Sequence, residues 1–371
     1  MPSAKDTLQA LLQSADIRTD GERSHDLDVR DDRFHARTLA DGILGLGESY
    51  MDGWWDCDRL DVFSDRVCRA DLQSQVRASP RLAWHYARGK LLNRQSRRRS
   101  GQVGRRHYDM GNEMFCAMLD PYMQYSCAYW QGEETLAGAQ ERKMDLICGK
   151  LGLREGMSLL DIGCGWGGLA RYAAERHGVS VVGVTISKEQ VSFAREFVRD
   201  LPVTIQLRDY REMAGEFDRV VSVGMFEHVG AKNYREFFGV ARRCLKEEGL
   251  FLLQTIGRNT PTSATNPWTD KYIFPNGQVP SPSQVAGAME GKFVLEDWHS
   301  FGLDYDKTLL AWWRNFHEAW PKLKEAFSDR FYRMWRFHLL TSAGAFRSRS
   351  IQLWQLVLSP GGAEEGYSAP R

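Results

Sequence analysis

Ser158-Leu159-Leu160-Asp161-Ile162-Gly163-Cys164-Gly165-Trp166-Gly167-Gly168 is the stretch whose reading decides the fold. A short apolar run ends in an acid, glycines follow, and Leu169, Ala170, Tyr172, Ala173 and Ala174 then recur with helical spacing. The pattern predicts a strand, a tight turn and a helix. Glycines let a ligand lie against bare backbone, and the first turn of the helix presents N–H groups that have no partner within it.

The spelling of the turn leaves two cofactors open. Gly163, Gly165 and Gly168 satisfy G-x-G-x-x-G, the dinucleotide pattern. Asp161, Gly163, Gly165 and Gly167 satisfy the D-x-G-x-G-x-G turn typical of S-adenosylmethionine (SAM) methyltransferases. A dinucleotide site wants an acid at the end of the next strand, about 20 residues on, to hold the ribose. Here that strand end reads Gly183-Val184-Thr185-Ile186-Ser187, with no acid before Glu189. This weakens a nicotinamide cofactor and departs from the commonest methyltransferase pattern as well. Thr185 and Gln190 are neutral groups able to hold a ribose or a methionine moiety instead. Asp209, just past a third strand, stands where such folds meet the adenine amino group, although it also suits a turn cap.

Outward from the glycines, strands and helices alternate. Strands are expected at 179–186, 203–207, 219–223 and 250–256, with helices at 188–198 and 234–245 between them. Late strands at 293–301 and 351–358 bracket an aromatic helical segment, 309–346. Upstream, Thr135 caps a helix over 136–151. Alternation of this kind predicts a parallel sheet with helices on both faces. Ligands then gather at the strand ends, which singles out Glu227 and His228 after the fourth strand and Gln254 within the fifth.

The first 90 residues read as a small helical domain carrying the glycine- and aromatic-rich stretch Leu44–Asp56. Residues 91–106 form a basic linker, and Arg88, Lys90, Arg94, Arg97, Arg98, Arg99, Arg105 and Arg106 crowd around it. Such a run suits anionic lipid headgroups. Its lack of aromatic residues argues against single-stranded nucleic acid. Residues 107–358 are expected to be the catalytic domain and 359–371 a disordered tail.

Net charge is +1 over 371 residues, so a globally basic nucleic-acid binder is excluded. Seven scattered cysteines with no C-x-x-C pair predict neither zinc nor a disulfide framework, and a reducing cytoplasm is the simplest setting. No run has the apolar length of a signal peptide or a membrane span.

Several stretches together resemble the bacterial cyclopropane-fatty-acyl-phospholipid synthases. They are Gly45–Trp55, Gln124-Tyr125-Ser126-Cys127-Ala128-Tyr129-Trp130, the Leu160–Gly168 turn, Gly183–Ser187, Val223–Val229, Lys271–Gly277, and the segments Phe301–Trp312 and Gly344–Trp354. The resemblance implies a class I SAM-methyltransferase, Rossmann-like α/β sheet, mostly parallel with one antiparallel strand, behind a small mainly helical N-terminal domain for lipid binding and dimerisation. It also implies methylene transfer from SAM to a cis double bond of a phospholipid acyl chain. The protein would act as a homodimer resting on the inner face of the membrane, with no metal and no nucleic acid. SAM contacts carry over to Tyr125, Ser126, Asp161, Gly163, Gly165, Trp166, Gly167, Gly168, Thr185, Ser187, Gln190, Asp209, Tyr210 and Arg211. The family's base is a bicarbonate ion, held by residues matching Cys127, Glu227, Tyr305, the backbone of Ile256 and a histidine in Leu-Leu-His-Thr-Ile-Gly. This chain departs there, reading Leu252-Leu253-Gln254-Thr255-Ile256-Gly257. Glutamine can donate a hydrogen bond to the ion but carries no charge. Three alternatives follow: a related SAM-dependent C- or N-methyltransferase on another lipid or small molecule, a methyl-branched or methylene product, or a binding protein that has lost catalysis.

Overall fold

A computed structural model describes residues 3–75, 80–91, 93, 95, 111–132 and 135–371. Arg94, Arg97, Arg98, Arg99, Arg105 and Arg106 of the basic run, and the stretch 107–110, lie outside the described residues. The chain divides into two compact units.

The smaller unit comprises residues 1–92, 263–275 and 305–351. Two short antiparallel strands, β1 (Asp28–Val29) and β2 (Trp55–Asp56), accompany its helices. The glycine- and aromatic-rich stretch supplies the core, with Tyr50 and Trp55 completely buried. Trp54 lies beneath the guanidinium groups of Arg33 and Arg37 at 4.4 and 4.8 Å. Small residues are required where backbones meet. A Cβ on Gly47 would lie 2.4 Å from the Trp268 indole, and one on Gly344 2.3 Å from the Asp61 carbonyl oxygen. Arginines then satisfy the acids of this unit: Arg333 and Arg336 both bind the half-buried Asp56 (2.9 and 3.0 Å), while Arg347 spans the buried Asp61 and the half-buried Asp306 at 2.8 Å each.

These contacts correct the expected boundaries. Residues 305–351, read as part of a continuous 107–358 catalytic domain, belong instead with the N-terminal helices. The expected single helical segment is also two helices, Leu303–Leu323 and Asp329–Arg347, the second capped by Ser328, whose Oγ accepts from Phe331 N at 3.2 Å. Gly344→Ala is expected to cost about 3 kcal/mol, since the Asp61 backbone has no room to yield. A drop in the urea midpoint at an unchanged slope would show it; an unshifted midpoint would mean that the Asp329–Arg347 helix can draw away from the helix over Leu60–Arg69, which carries Asp61.

The larger unit comprises residues 93–262, 276–304 and 352–371. Its strands are β3 (Ser158–Ile162), β4 (Ser180–Thr185), β5 (Val203–Leu207), β6 (Phe217–Val223), β7 (Leu245–Arg258), β8 (Val294–Ser300) and β9 (Ile351–Ser359). They form one sheet in the order β5-β4-β3-β6-β7-β9-β8. β3 to β7 pair in parallel, whereas β8 and β9 pair antiparallel. Period-two alternation splits the apolar residues between the faces. Leu160, Phe251 and Leu253 join one core cluster with Phe226 and Phe237, while Leu159, Val221 and Leu252 join another with Met144, Ile147 and Leu151. The helix over Leu136–Leu151 begins at Thr135 as expected, with Gly138 N donating to Thr135 Oγ1 at 3.1 Å.

The tail is packed rather than disordered. Ala363 N donates to Glu296 (2.9 Å), Tyr367 Oη to the Lys150 carbonyl (2.9 Å), and Arg371 to both oxygens of Asp297 (2.9 and 2.6 Å). Asp297 also takes an ion pair from the fully buried Lys150, so the tail helps neutralise an internal charge that its own sequence does not reveal. Among the described residues no helix is long and apolar enough to cross a membrane, and no His, Cys, Asp and Glu cluster is arranged to hold a metal.

Candidate functional site

A cavity opens in the larger unit at the carboxyl ends of β3, β4 and β6, where a parallel sheet leaves a crevice beside its central strands. The glycine turn forms one wall. Gly163 and Gly165 have φ of +87° and +55°, a region that side chains rarely enter, and both face the cavity together with Asp161 and Trp166. Gly167 and Gly168 do not line it. Gly167 turns toward Ala194, and a Cβ on Gly168 would sit 1.7 Å from the Tyr122 carbonyl oxygen. The expectation of ligand contact at these two positions therefore becomes one of packing: the helix start must lie flush against residues 122–124.

Thr185, Ser187 and Gln190 line the cavity as well. Thr185 Oγ1 donates to Gln190 Oε1 at 2.8 Å, and Ser187 caps the helix over Lys188–Phe197. A neutral pair thus occupies the strand end where an acid is usual. Asp209, Tyr210 and Arg211 form a further wall. Asp209 does both things its position allows: it caps its turn through Arg211 N (3.0 Å) and lies at the cavity, clamped by the Arg211 guanidinium at 2.8 and 2.7 Å.

The irregular aromatic segment completes the enclosure. Tyr125 and Ser126 line the cavity. Tyr125 rests edge-on against Phe115 (5.3 Å), which leans on Trp166 (4.8 Å), and the Trp166 indole donates to Asn112 at 3.0 Å. The helix over Leu136–Leu151 holds this segment from behind. Gln140 Nε2 donates to the carbonyls of Gln124 and Ser126 (3.2 and 2.9 Å), and Lys143 Nζ donates to Gln124 Oε1 (2.6 Å) and Ser126 Oγ (2.9 Å). Lys143 is wholly buried; burial lowers its pKa to about 8, and the negative charges around it, Asp120 foremost, oppose that fall. Neither residue was singled out from sequence, because a glutamine and a lysine three apart on a helix read as a solvated face. Burial pushes Asp161 up to about 7, against the pull of the Lys143 charge.

A second set of polar groups comprises Glu227 and His228 on a 3-10 turn past β6, Gln254 and the Ile256 backbone within β7, and Cys127 of the aromatic segment. Glu227 is buried, and its Oε1 accepts from Ile256 N at 2.6 Å, while Oε2 has no hydrogen-bond partner among the described residues. Burial raises its pKa to about 7. Gln278 fixes the loop that carries it: Gln278 N donates to the Glu227 carbonyl (2.8 Å), and Gln278 Oε1 accepts from Ala231 N (2.9 Å). Gln254 lies opposite Val223 in the β6–β7 register and is buried; its Oε1 accepts from Gln355 Nε2 at 2.9 Å, and its Nε2 has no partner among the described residues. Cys127 is fully buried, its Sγ 3.2 Å from the Ala128 carbonyl. His228 lines the cavity, and burial holds its pKa down near 4, leaving a neutral imidazole. Glu227, Ile256, Gln254 and Cys127 all belong to the larger unit. Tyr305 belongs to the smaller one, its ring tilted on Phe346 (4.4 Å) and edge-on to Trp312 (6.0 Å).

The family described as mycolic acid cyclopropane synthetase matches residues 95–356. The cyclopropane-fatty-acyl-phospholipid synthase of Escherichia coli strain K12 is 53% identical over 361 residues, covering 97% of this chain and 94% of that protein. The cyclopropane synthase MmaA2 from Mycobacterium tuberculosis superposes with a TM-score of 0.66 at 32% identity, over 70% of this chain and 97% of the other. The structure of mycolic acid cyclopropane synthase CmaA1 complexed with SAH and CTAB gives 0.65 at 33%, over 69% and 96%.

Proposed function

We propose that this chain, which belongs to the mycolic acid cyclopropane synthetase family of SAM-dependent methyltransferases, adds a methylene group from SAM across a cis double bond of a phospholipid acyl chain. The observation that carries the reading is the pairing of a glycine-turn cavity with a buried carboxylate just past β6 and a buried amide within the neighbouring β7, each with one polar atom that has no partner among the described residues. Burying a polar atom without a partner costs about 1–3 kcal/mol, so two of them together argue for a ligand.

The cavity residues divide the work on SAM. Asp161 and the Gly163–Gly165 backbone take the methionine end, Thr185 and Gln190 the ribose, and Asp209, held still by Arg211, the adenine amino group. Tyr125 and Ser126, braced by Gln140 and Lys143, orient the sulfonium toward the acyl chain. Alignment of methyl and alkene in a dry site supplies much of the rate, and neutral His228 adds no competing charge there.

The second set of groups fits a bicarbonate ion. A carboxylate oxygen needs a donor and an amide N–H needs an acceptor; an ion with one O–H and two bare oxygens offers both. Glu227, Gln254, the Ile256 backbone and Cys127 would hold it, and when bound it supplies the base for the proton shed as the ring closes. Glutamine in place of the family's histidine leaves the site without a titrating cation, so bicarbonate binding should not weaken as a histidine loses its proton. The protein is proposed to act as a homodimer at the inner membrane surface, the cations from Arg88 to Arg106 meeting anionic headgroups.

The test is incubation with SAM and vesicles of monounsaturated phospholipid, with and without bicarbonate, followed by mass spectrometry of the acyl chains. One added methylene with loss of the alkene is expected; a methylated chain that keeps its alkene would instead establish the methyl-branched or methylene alternative, and no lipid product would sink the proposal. Gln254→Ala is expected to lower bicarbonate-dependent turnover about tenfold, as one charge-assisted hydrogen bond is lost. Unchanged turnover would remove Gln254 from the site.

A further inference from the structure

Gln355 sits on β9 beside Gln254 on β7, and both side chains are buried, at 0% and 1% exposure. Gln355 Nε2 donates to Gln254 Oε1 at 2.9 Å. By strand alternation the two amides share a sheet face with Leu252 and Val357, both members of an apolar core cluster. We propose that Gln355 is a positioning residue that sets the polarity of the Gln254 amide, so that Gln254 offers its N–H groups, rather than its oxygen, to the anion; this rests on the bicarbonate reading above.

The physical reason is that an amide is two-faced. With Oε1 engaged by Gln355, the atom left to Gln254 is Nε2; among the described residues neither that donor nor Gln355 Oε1 has a partner. With the pair reversed, Gln254 would present a second acceptor near the Glu227 carboxylate, and an anion would meet two acceptors in a buried site. A histidine at this position would need no such help, since a protonated imidazole donates from both nitrogens. Glutamine does need it, and Gln355 supplies it from outside the motif that contains Gln254.

The experiment is a double-mutant cycle on the full-length protein with Gln355→Met and Gln254→Met, each nearly isosteric. Bicarbonate is titrated into carbon-dioxide-free buffer over the same monounsaturated vesicles, with the KM for SAM and the thermal midpoint followed in parallel. Gln355→Met is expected to raise the bicarbonate concentration for half-maximal activity about tenfold, the loss of one well-placed hydrogen bond, with the KM for SAM within about twofold. The double variant should match Gln254→Met alone, because Gln355 acts only through Gln254. Additive losses, or a KM for SAM that rises with the bicarbonate requirement, would overturn the role in favour of general packing. Should the unmodified protein need no bicarbonate, the underlying reading fails before any variant is made, and the two failures are told apart.

Discussion

Glu227→Gln is expected to lose about a thousandfold or more in turnover while gaining stability above neutral pH. The carboxylate lies on a short 3-10 turn just past β6, with one oxygen on Ile256 N and the other without a partner among the described residues, and burial outweighs the hydrogen bonds to raise its pKa from 4.5 to about 7. A raised carboxylate pKa means that the folded state holds the proton more tightly than the unfolded one. Its contribution to stability is therefore complete below about pH 4.5 and is lost as pH rises through 7. The gap corresponds to roughly 3 kcal/mol once the group is ionised. Glutamine keeps the acceptor for Ile256 N and removes the buried charge, so the variant should unfold like the parent at pH 4 and resist urea better at pH 8. On the proposed bicarbonate reading, turnover falls because the neutral amide cannot hold a proton-accepting ion in the required ionic state, and groups of this kind contribute 10²–10⁴-fold. In the parent, activity should climb through pH 7 as Glu227 ionises. A variant that is active, or no more stable at pH 8, would show that Glu227 is solvated and outside the chemistry.

Gly168→Ala is expected to weaken SAM binding by two orders of magnitude or more without unfolding the sheet. The added Cβ would meet the Tyr122 carbonyl oxygen at 1.7 Å and the Gln124 amide at 2.5 Å. Neither the helix start nor the sheet can retreat, so the segment carrying Tyr125 and Ser126 must move, and each well-placed hydrogen bond to SAM lost from it costs about tenfold in affinity. Isothermal titration with SAM reads the loss, and far-UV circular dichroism should remain that of the parent. Unchanged affinity would mean that the 122–126 segment takes no part in binding.

Much of this molecule is legible along the chain because its signals are local. The strand–turn–helix at Ser158–Gly168, the Thr135 cap and β5 at 203–207 each rest on a few adjacent residues whose spacing and turn chemistry leave little choice. The cavity residues from Asp161 to Arg211 were legible for the same reason: a parallel sheet delivers its strand ends to one edge. What only the tertiary structure decided comes from contacts between distant segments. Gly344 and the arginines of its helix move residues 305–351 to the N-terminal helices; Asp297 and Lys150 order a tail that looks disordered by composition; Gln140 and Lys143 prove to be buried braces. The glycine turn shows both sides at once. Its residue types dictate a tight turn by themselves, but which glycines face the cavity and which make room for Tyr122 and Ala194 depends on segments whose approach no local pattern encodes.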